Sequence, residues 1–180
     1  MKATIKFKES AIKELLKTIV VIYSTKEQEN KHILDYFDKK GIKHKRQSME
    51  TCDYSAYIPK NEELGLPFDI TLEKEILIER KAHLDELSNN ICNDRQAFFN
   101  EWVRAKESGA SLYLIIEKGS WKDIRQHNYR SQYNEKAYYN TLLSWRDKFG
   151  FQVDFLNSNE EMGEHILRLL QLKLKKLLEE

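Results

Sequence analysis

Two prolines, six glycines and two cysteines are all that this chain of 180 residues holds of the residues that punctuate or cross-link a fold. So few breakers exclude a loop-rich or linker-rich organisation. They predict long regular elements in one domain, on a chain long enough to bury a sizeable core. Cys52 and Cys92 make neither a disulfide framework nor a thiolate metal centre, and they fit a reduced cytoplasmic compartment. Net charge is nearly absent as well: thirty Lys and Arg stand against twenty-nine Asp and Glu, a formal +1. Any basic surface must therefore be local. No apolar run approaches a membrane span and no signal-peptide core opens the chain, which excludes a membrane partner. Its many Lys and Asn residues fit a low-GC bacterium or its phage.

What is present centres on Ile76-Leu77-Ile78-Glu79-Arg80-Lys81, with Cys52-Asp53-Tyr54 upstream. A carboxylate at Asp53, a second at Glu79 and an ammonium at Lys81 form the D…ExK pattern of magnesium-dependent nucleases. On a strand, alternate side chains share a face, so Glu79 and Lys81 point one way and Arg80 the other. Hard oxygen ligands suit Mg²⁺ or Mn²⁺, which keeps several waters and takes one or two carboxylates plus a substrate phosphate. A lysine beside that ion is placed to orient the attacking water or stabilise a pentavalent phosphate. The plain alternative is a strand end carrying solvated charges.

Along the chain, Thr4–Phe7 alternates like a short strand and Ser10–Lys17 has one apolar helical face. Ile19–Ile22 is a β-branched run opening into Ser24-Thr25-Lys26-Glu27, with a helix expected over Gln28–Lys40. Ile42–Ser48 and Tyr54–Ile58 read as strands. The first of these carries Lys43, His44, Lys45 and Arg46, either as edge protection or as a DNA-facing strip. Leu72–Arg80 leads into the central strand, and Leu84–Asn90 reads as a short helix with Asp85 in its first turn. A helix capped at Asn93 with Gln96 runs to Ser108, followed by a strand over Leu112–Glu117. Glu117 either supplements a metal shell or is a strand-end charge. Between Lys118 and Lys136 the chain turns polar, basic and aromatic together. Lys122, Arg125, Tyr129 and Arg130 make it a candidate mobile DNA-contacting segment, against a surface connection with locally packed aromatics. A helix over Glu135–Phe149 and a strand over Phe151–Phe155 come next. Ser158-Asn159-Glu160-Glu161 resembles a capping box opening the last helix, over residues 158–180, whose leucines suit either the sheet or a partner helix.

Three strings together resemble the XPF/ERCC-type nuclease family. Glu79-Arg80-Lys81 with Asp85 resembles its ERK-x-x-x-D signature, Cys52-Asp53-Tyr54 its Gly-Asp-Tyr, and Val20–Glu27 its first motif, a strand running into Asp-Thr-Arg-Glu. The resemblance implies an α/β, restriction-endonuclease-like domain with a central mixed sheet flanked by helices, in the PD-(D/E)xK superfamily. Residues 1–18 would then be an N-terminal extension. It further implies an endonuclease cutting DNA at flaps, forks or junctions, and a homodimer paired through the last helix. Asp53 and Glu79, with the Arg80 carbonyl, would hold Mg²⁺ or Mn²⁺. Lys81 would position water, Arg80 and Lys26 would clamp phosphate or brace carboxylates, and Asp85 would orient the basic pair. The chain departs from the pattern at Ser24, where the family has aspartate, at Lys26 for arginine, and at Cys52 for glycine. Glu27 is kept. Ser24 removes a negative charge and lowers the expected metal affinity, so an inactive DNA-binding or scaffolding member of the same fold is the alternative. An interaction protein that pairs through its leucine-rich last helix is another.

Overall fold

The β-branched and apolar runs become the inner strands of a mixed sheet in the computed structural model, which describes residues 7–180. The strands are β1 Val20–Ser24, β2 Lys43–Gln47, β3 Tyr54–Ile58, β4 Ile70–Thr71, β5 Ile76–Lys81, β6 Ser111–Ile116 and β7 Gln152–Phe155. The helices are α1 Glu9–Lys17, α2 Lys31–Lys39, α3 Leu84–Cys92, α4 Arg95–Glu107, α5 Trp121–Arg125, α6 Glu135–Phe149 and α7 Met162–Glu179. The sheet order is β2-β1-β3-β5-β6-β7, with β4 added beside β3. β1 is antiparallel to β3, and β3 to β5, while β5, β6 and β7 run parallel. The α/β class, the mixed central sheet and the flanking helices are as expected. Apart from Phe7, the strand expected over Thr4–Phe7 lies outside the described residues.

Each face of the sheet has its own apolar layer. Ile76 and Ile78 of β5 enter one with Leu15, Phe37, Ile166 and Leu170, from α1, α2 and α7. Leu77 enters the other with Leu87, Trp102, Leu142 and Trp145, from α3, α4 and α6. The same alternation sorts the charges at the end of β5: the period-two rule sends Glu79 and Lys81 to the α3–α4 side and Arg80 to the α2–α7 side. All six residues of β5 are buried. Burial of this many aliphatic and aromatic side chains, at roughly 25 cal/mol per Å² of apolar surface, is the dominant favourable term.

The β3 and α6 bounds coincide with the expected ranges, and other elements differ for local reasons. α2 starts at Lys31 rather than Gln28, because the Ser24 hydroxyl and carbonyl take the N–H groups of Lys26 and Glu27 into a turn. β5 starts at Ile76 because Leu72–Glu75 closes a turn of its own, with Glu75 and Ile76 N–H groups on the Leu72 carbonyl. That turn steps the register along β3, from Tyr57 opposite Thr71 to Tyr54 opposite Ile78. The box expected at Asn93 does not form, since its side chain donates to Asn89 Oδ1 instead. Ser158 likewise makes no cap bond, and a 3₁₀ turn over Asn159–Glu161 precedes α7. α7 spends Ile166, Leu170, Leu174 and Leu178 on its own core, leaving Leu172 65% exposed. Gly163 lets α7 approach α2, since a Cβ there would stand 2.8 Å from the Tyr36 side chain. Among the described residues, no helix is long and apolar enough to cross a membrane.

Candidate active site

Asp53 reaches the carboxyl end of β5 on a left-handed turn. Cys52 before it has φ 60°, a conformation that costs a residue with a Cβ roughly 1–2 kcal/mol. The backbone at the family's glycine position thus does require positive φ, and Cys52 fills it under strain. The turn is tied from α4: the Cys52 N–H donates to Glu101 Oε1 (3.2 Å) and the Thr51 hydroxyl to the Glu101 carbonyl (3.0 Å). Asp53 then extends the β1–β3–β5 pairing, giving its N–H to the Ile78 carbonyl (2.9 Å) and accepting the Ser24 N–H on its carbonyl (2.8 Å). Its Oδ2 accepts the Arg80 N–H at 2.9 Å.

On the same side of β5, Lys81 Nζ donates to Glu79 Oε1 at 2.7 Å, lies 3.6 Å from Glu86 Oε1 and sits 5.0 Å over the Phe98 ring. Glu79 Oε2 is buried with no hydrogen-bond partner. Burial, reinforced by the nearby Asp53, holds the Glu79 carboxyl well above its ordinary range. Burial also lifts Asp53, Lys81 draws it back and Glu27 adds to it, leaving it pushed up to about 7. Burial works against the Lys81 ammonium, but Glu79, Asp53 and Glu86 outweigh it and keep the group charged above its usual value. Two carboxylates share one ammonium, which bonds only one of them.

Arg80 turns to the opposite face. Its Nε donates to Glu117 Oε1 (2.8 Å) and its Nη1 to Glu27 Oε1 (3.0 Å), while His32 Nε2 stands 2.5 Å from the same Glu117 oxygen. Burial opposes the charge, and Glu117 and Glu27 more than restore it. Beside this bridge Glu27 Oε2, Asn30 Nδ2 and Tyr54 Oη are buried without partners, polar enough together for a buried water.

The structure brings Asp53, Glu79 and Lys81 together and sets other expected residues elsewhere. Arg80 is enclosed between carboxylates, so of its two expected roles it fills the bracing one. Lys26 is exposed, and Ser24 is buried with its hydroxyl accepting the Lys26 N–H (3.2 Å). Asp85 does not orient the basic pair: its Oδ1 accepts the N–H groups of Arg130 (2.7 Å) and Ser131 (2.8 Å), across from the first turn of α3. Glu86 contacts Lys81 in its place and accepts the Ala82 N–H (2.8 Å). Glu117 serves Arg80 on the other face, not the Asp53–Glu79 pair, because it stands two residues after Ile115, and Ile115 pairs with Arg80. Lys122, Arg125 and Arg130 are exposed, whereas Tyr129 is half-buried edge-on to Tyr138 (5.3 Å) with its hydroxyl on the Tyr133 carbonyl. Trp121 likewise packs on Tyr139 and Phe155. Lys43, Lys45 and Arg46 are exposed on β2 at the sheet edge.

Sequence reading missed Glu86, Glu101 and His32. Glu86 had a visible sign, a second acid in the first turn of the helix after the ExK strand. Glu101 and His32 had none, since only tertiary packing of α4 and α2 brings them in. Among the described residues, no three His, Cys, Asp or Glu side chains gather as a metal-holding cluster. Asp53 and Glu79 nonetheless fit a hard divalent ion that keeps its waters and needs only one or two carboxylates. An orphaned buried oxygen on Glu79 and a carboxyl held near neutrality on Asp53 are both relieved by such a cation.

Among solved structures, XPF from Aeropyrum pernix is similar with a TM-score of 0.63 at 16% identity, over 88% of this chain and 66% of that one. XPF from Aeropyrum pernix in complex with DNA gives 0.61 at 16% identity, over 87% and 66%. At such identity the likeness shows the shared fold, and this chain spans just under two thirds of those chains. No curated protein matches. The family model of the ERCC4 domain matches residues 23–169, from the end of β1 into α7, and the chain belongs to the ERCC4 domain family of metal-dependent nucleases.

Proposed function

We propose that this chain is a divalent-metal-dependent endodeoxyribonuclease that nicks branched DNA at flaps, forks or junctions through Asp53, Glu79 and Lys81. The observation that carries the reading is a buried Glu79 carboxylate with an orphaned oxygen, paired with a half-buried Asp53, beside a lysine that keeps its charge. Mg²⁺ or Mn²⁺ held by Asp53 and Glu79 supplies charge neutralisation and an acidified water when bound. Because Lys81 stays an ammonium, it acts as a donor to the attacking water or to a phosphoryl oxygen and takes no proton itself. Arg80 fixes the strand end through Glu27 and Glu117, and its N–H orients Asp53. Water attacks phosphorus in line, and the opposite P–O bond breaks.

The test is nicking of labelled flap, fork, four-way-junction and linear duplex DNA with Mg²⁺ or Mn²⁺. Lys81→Ala is expected to lose about a thousandfold in rate, the scale for removing one preorganised donor, while binding DNA as before. Full activity in that variant overturns the assignment. Ser24 favours a second reading, a weak or inactive DNA-binding member of the same fold, because its hydroxyl is committed to the turn with Lys26. Wild type that binds without cutting, and cuts once Ser24→Asp is made, establishes that reading. We assign α1 and the rest of residues 1–18 as an extension of one domain. A homodimer would use surface outside the buried leucines of α7, where exposed Leu172 is one apolar anchor and Phe68, elsewhere on the chain, another.

A further inference from the structure

Asp85 is the acid of the signature string that the carboxylate site does not use, and its side-chain bonds all go to one loop. One oxygen, Oδ1, accepts two successive main-chain N–H groups, those of Arg130 and Ser131, while Arg130 Nε stands 3.5 Å from Oδ2. Ser88, one turn on in α3, donates to the Asp85 carbonyl and lies 2.8 Å from the Ser131 hydroxyl. From the loop's other side, the His127 ring stacks on Tyr129 at 4.2 Å and its Nε2 stands 3.0 Å from the Ser131 carbonyl. The connection between α5 and α6 is thus cross-braced, and its brace is the first turn of α3. That turn comes directly after β5, and Asp85 lies one helical turn of sequence beyond Lys81.

The backbone is pinned, while the cation is tied only by its 3.5 Å contact with Asp85 Oδ2. The Arg130 side chain is 87% exposed, and Arg125 and Lys122 are exposed on the adjoining helix. An exposed guanidinium on a fixed backbone loses less freedom on meeting a phosphate than one on a loose loop. Burial works against the Asp85 carboxylate, but the two N–H groups and, after them, the Arg130 guanidinium hold its carboxyl below the ordinary range. We propose that Asp85 is a positioning residue, latching the 126–134 loop to the first turn of α3 so that Arg130, with Arg125, takes the DNA backbone at a set distance from Lys81.

This inference rests on the DNA-nuclease reading, and its test separates the two. Binding of labelled flap and fork DNA is measured by anisotropy in Ca²⁺. The cutting rate is measured at saturating DNA in Mg²⁺ or Mn²⁺, and amide exchange is tracked at Arg130 and Ser131. Asp85→Ala is expected to weaken binding about tenfold, the scale of one lost charge-assisted contact, with the saturating rate within about twofold. Asp85→Asn keeps an Oδ1 that accepts the same two N–H groups, so its affinity is expected within about threefold of wild type. Exchange protection should vanish in Asp85→Ala and persist in Asp85→Asn. Unchanged affinity in Asp85→Ala overturns the latch, as does an equal loss in Asp85→Asn. A fall in saturating rate at unchanged affinity returns Asp85 to the chemical step. If wild type binds and does not cut, the nuclease reading fails, while the binding and exchange results still decide the latch. Wild type that binds no branched DNA overturns both.

Discussion

The two faces at the end of β5 hold nearly the same charges and use them differently. On the α2–α7 side, Arg80 lies between Glu27 and Glu117, and its planar fork gives each carboxylate its own N–H. On the α3–α4 side, Lys81 is a point charge that bonds Glu79 alone, and Asp53 is left with a main-chain N–H. A guanidinium between two acids separates them; an ammonium beside one leaves them repelling each other. Raised carboxyls stand beside the lysine, while each face leaves one carboxylate oxygen without a partner, Glu27 Oε2 by the arginine and Glu79 Oε2 by the lysine. Adjacent residues in one strand thus divide the work, with Arg80 tied between Glu27 and Glu117 and Lys81 facing the Asp53 and Glu79 carboxyls.

Arg80→Ala breaks the comparison most strongly. It leaves Glu27 and Glu117 buried without their shared partner, a loss that costs about 3–5 kcal/mol when one member of a buried pair is removed. Lys81→Ala leaves a Glu79 carboxyl that burial already holds well above its ordinary range and that can take up a proton, so its cost in stability is expected to be smaller than that of Arg80→Ala. Urea unfolding of the two variants checks this. Equal losses would mean that both faces are structural.

pH gives the next largest effect. Raised carboxyl pKa values mean that the folded protein binds these protons more tightly than the unfolded chain does. The stability they contribute is full below about pH 4 and is lost as pH rises through about 7, the Asp53 value. The loss should be on the order of 2 kcal/mol for metal-free protein, since the pair's repulsion is shared between its members. Thermal melts from pH 5 to 8, wild type against Asp53→Asn, isolate it. Asp53→Asn should melt with a flatter pH dependence, and Mn²⁺ should flatten the wild-type curve, because metal binding releases the same protons. A wild-type curve no steeper than that of Asp53→Asn would remove the electrostatic contrast between the faces.

Much of this is legible in the sequence, for identifiable reasons. β3, β5 and β6 show there as apolar runs, and period two alone divides Glu79 and Lys81 from Arg80. The acids joining them are less legible. Asp85 and Glu86 are neighbours in one helical turn, and the motif points to the wrong one, because which acid meets Lys81 depends on how α3 docks. His32 and Glu101 come from helices with no pattern tying them to the strand. The 118–136 segment shows its charges but not its bracing, which rests on a hydrogen bond from Tyr129 to Tyr133 and on two main-chain N–H groups. Side-chain spacing encodes faces well; it carries little about contacts between main chain and distant side chains.

Cys52 offers the smallest effect and a test of sign. In ordinary backbone, glycine is less stable than alanine by roughly 0.5–1 kcal/mol, because it has more freedom to lose. At φ 60° the order should reverse. Cys52→Ala gives up the buried thiol and keeps the left-handed strain, whereas Cys52→Gly gives up the thiol and relieves the strain. The thiol packs in the apolar layer with Ile22, Met49 and Leu77, so both variants lose a similar packing contribution. Their difference therefore isolates the backbone, and Cys52→Gly should be the more stable by about 1 kcal/mol in urea unfolding. Alanine matching or exceeding glycine would mean that the Glu101 and Thr51 ties hold the turn without strain. Asp53 would then be presented as easily by this chain as by one with glycine, and the distance between the two faces would owe nothing to the turn.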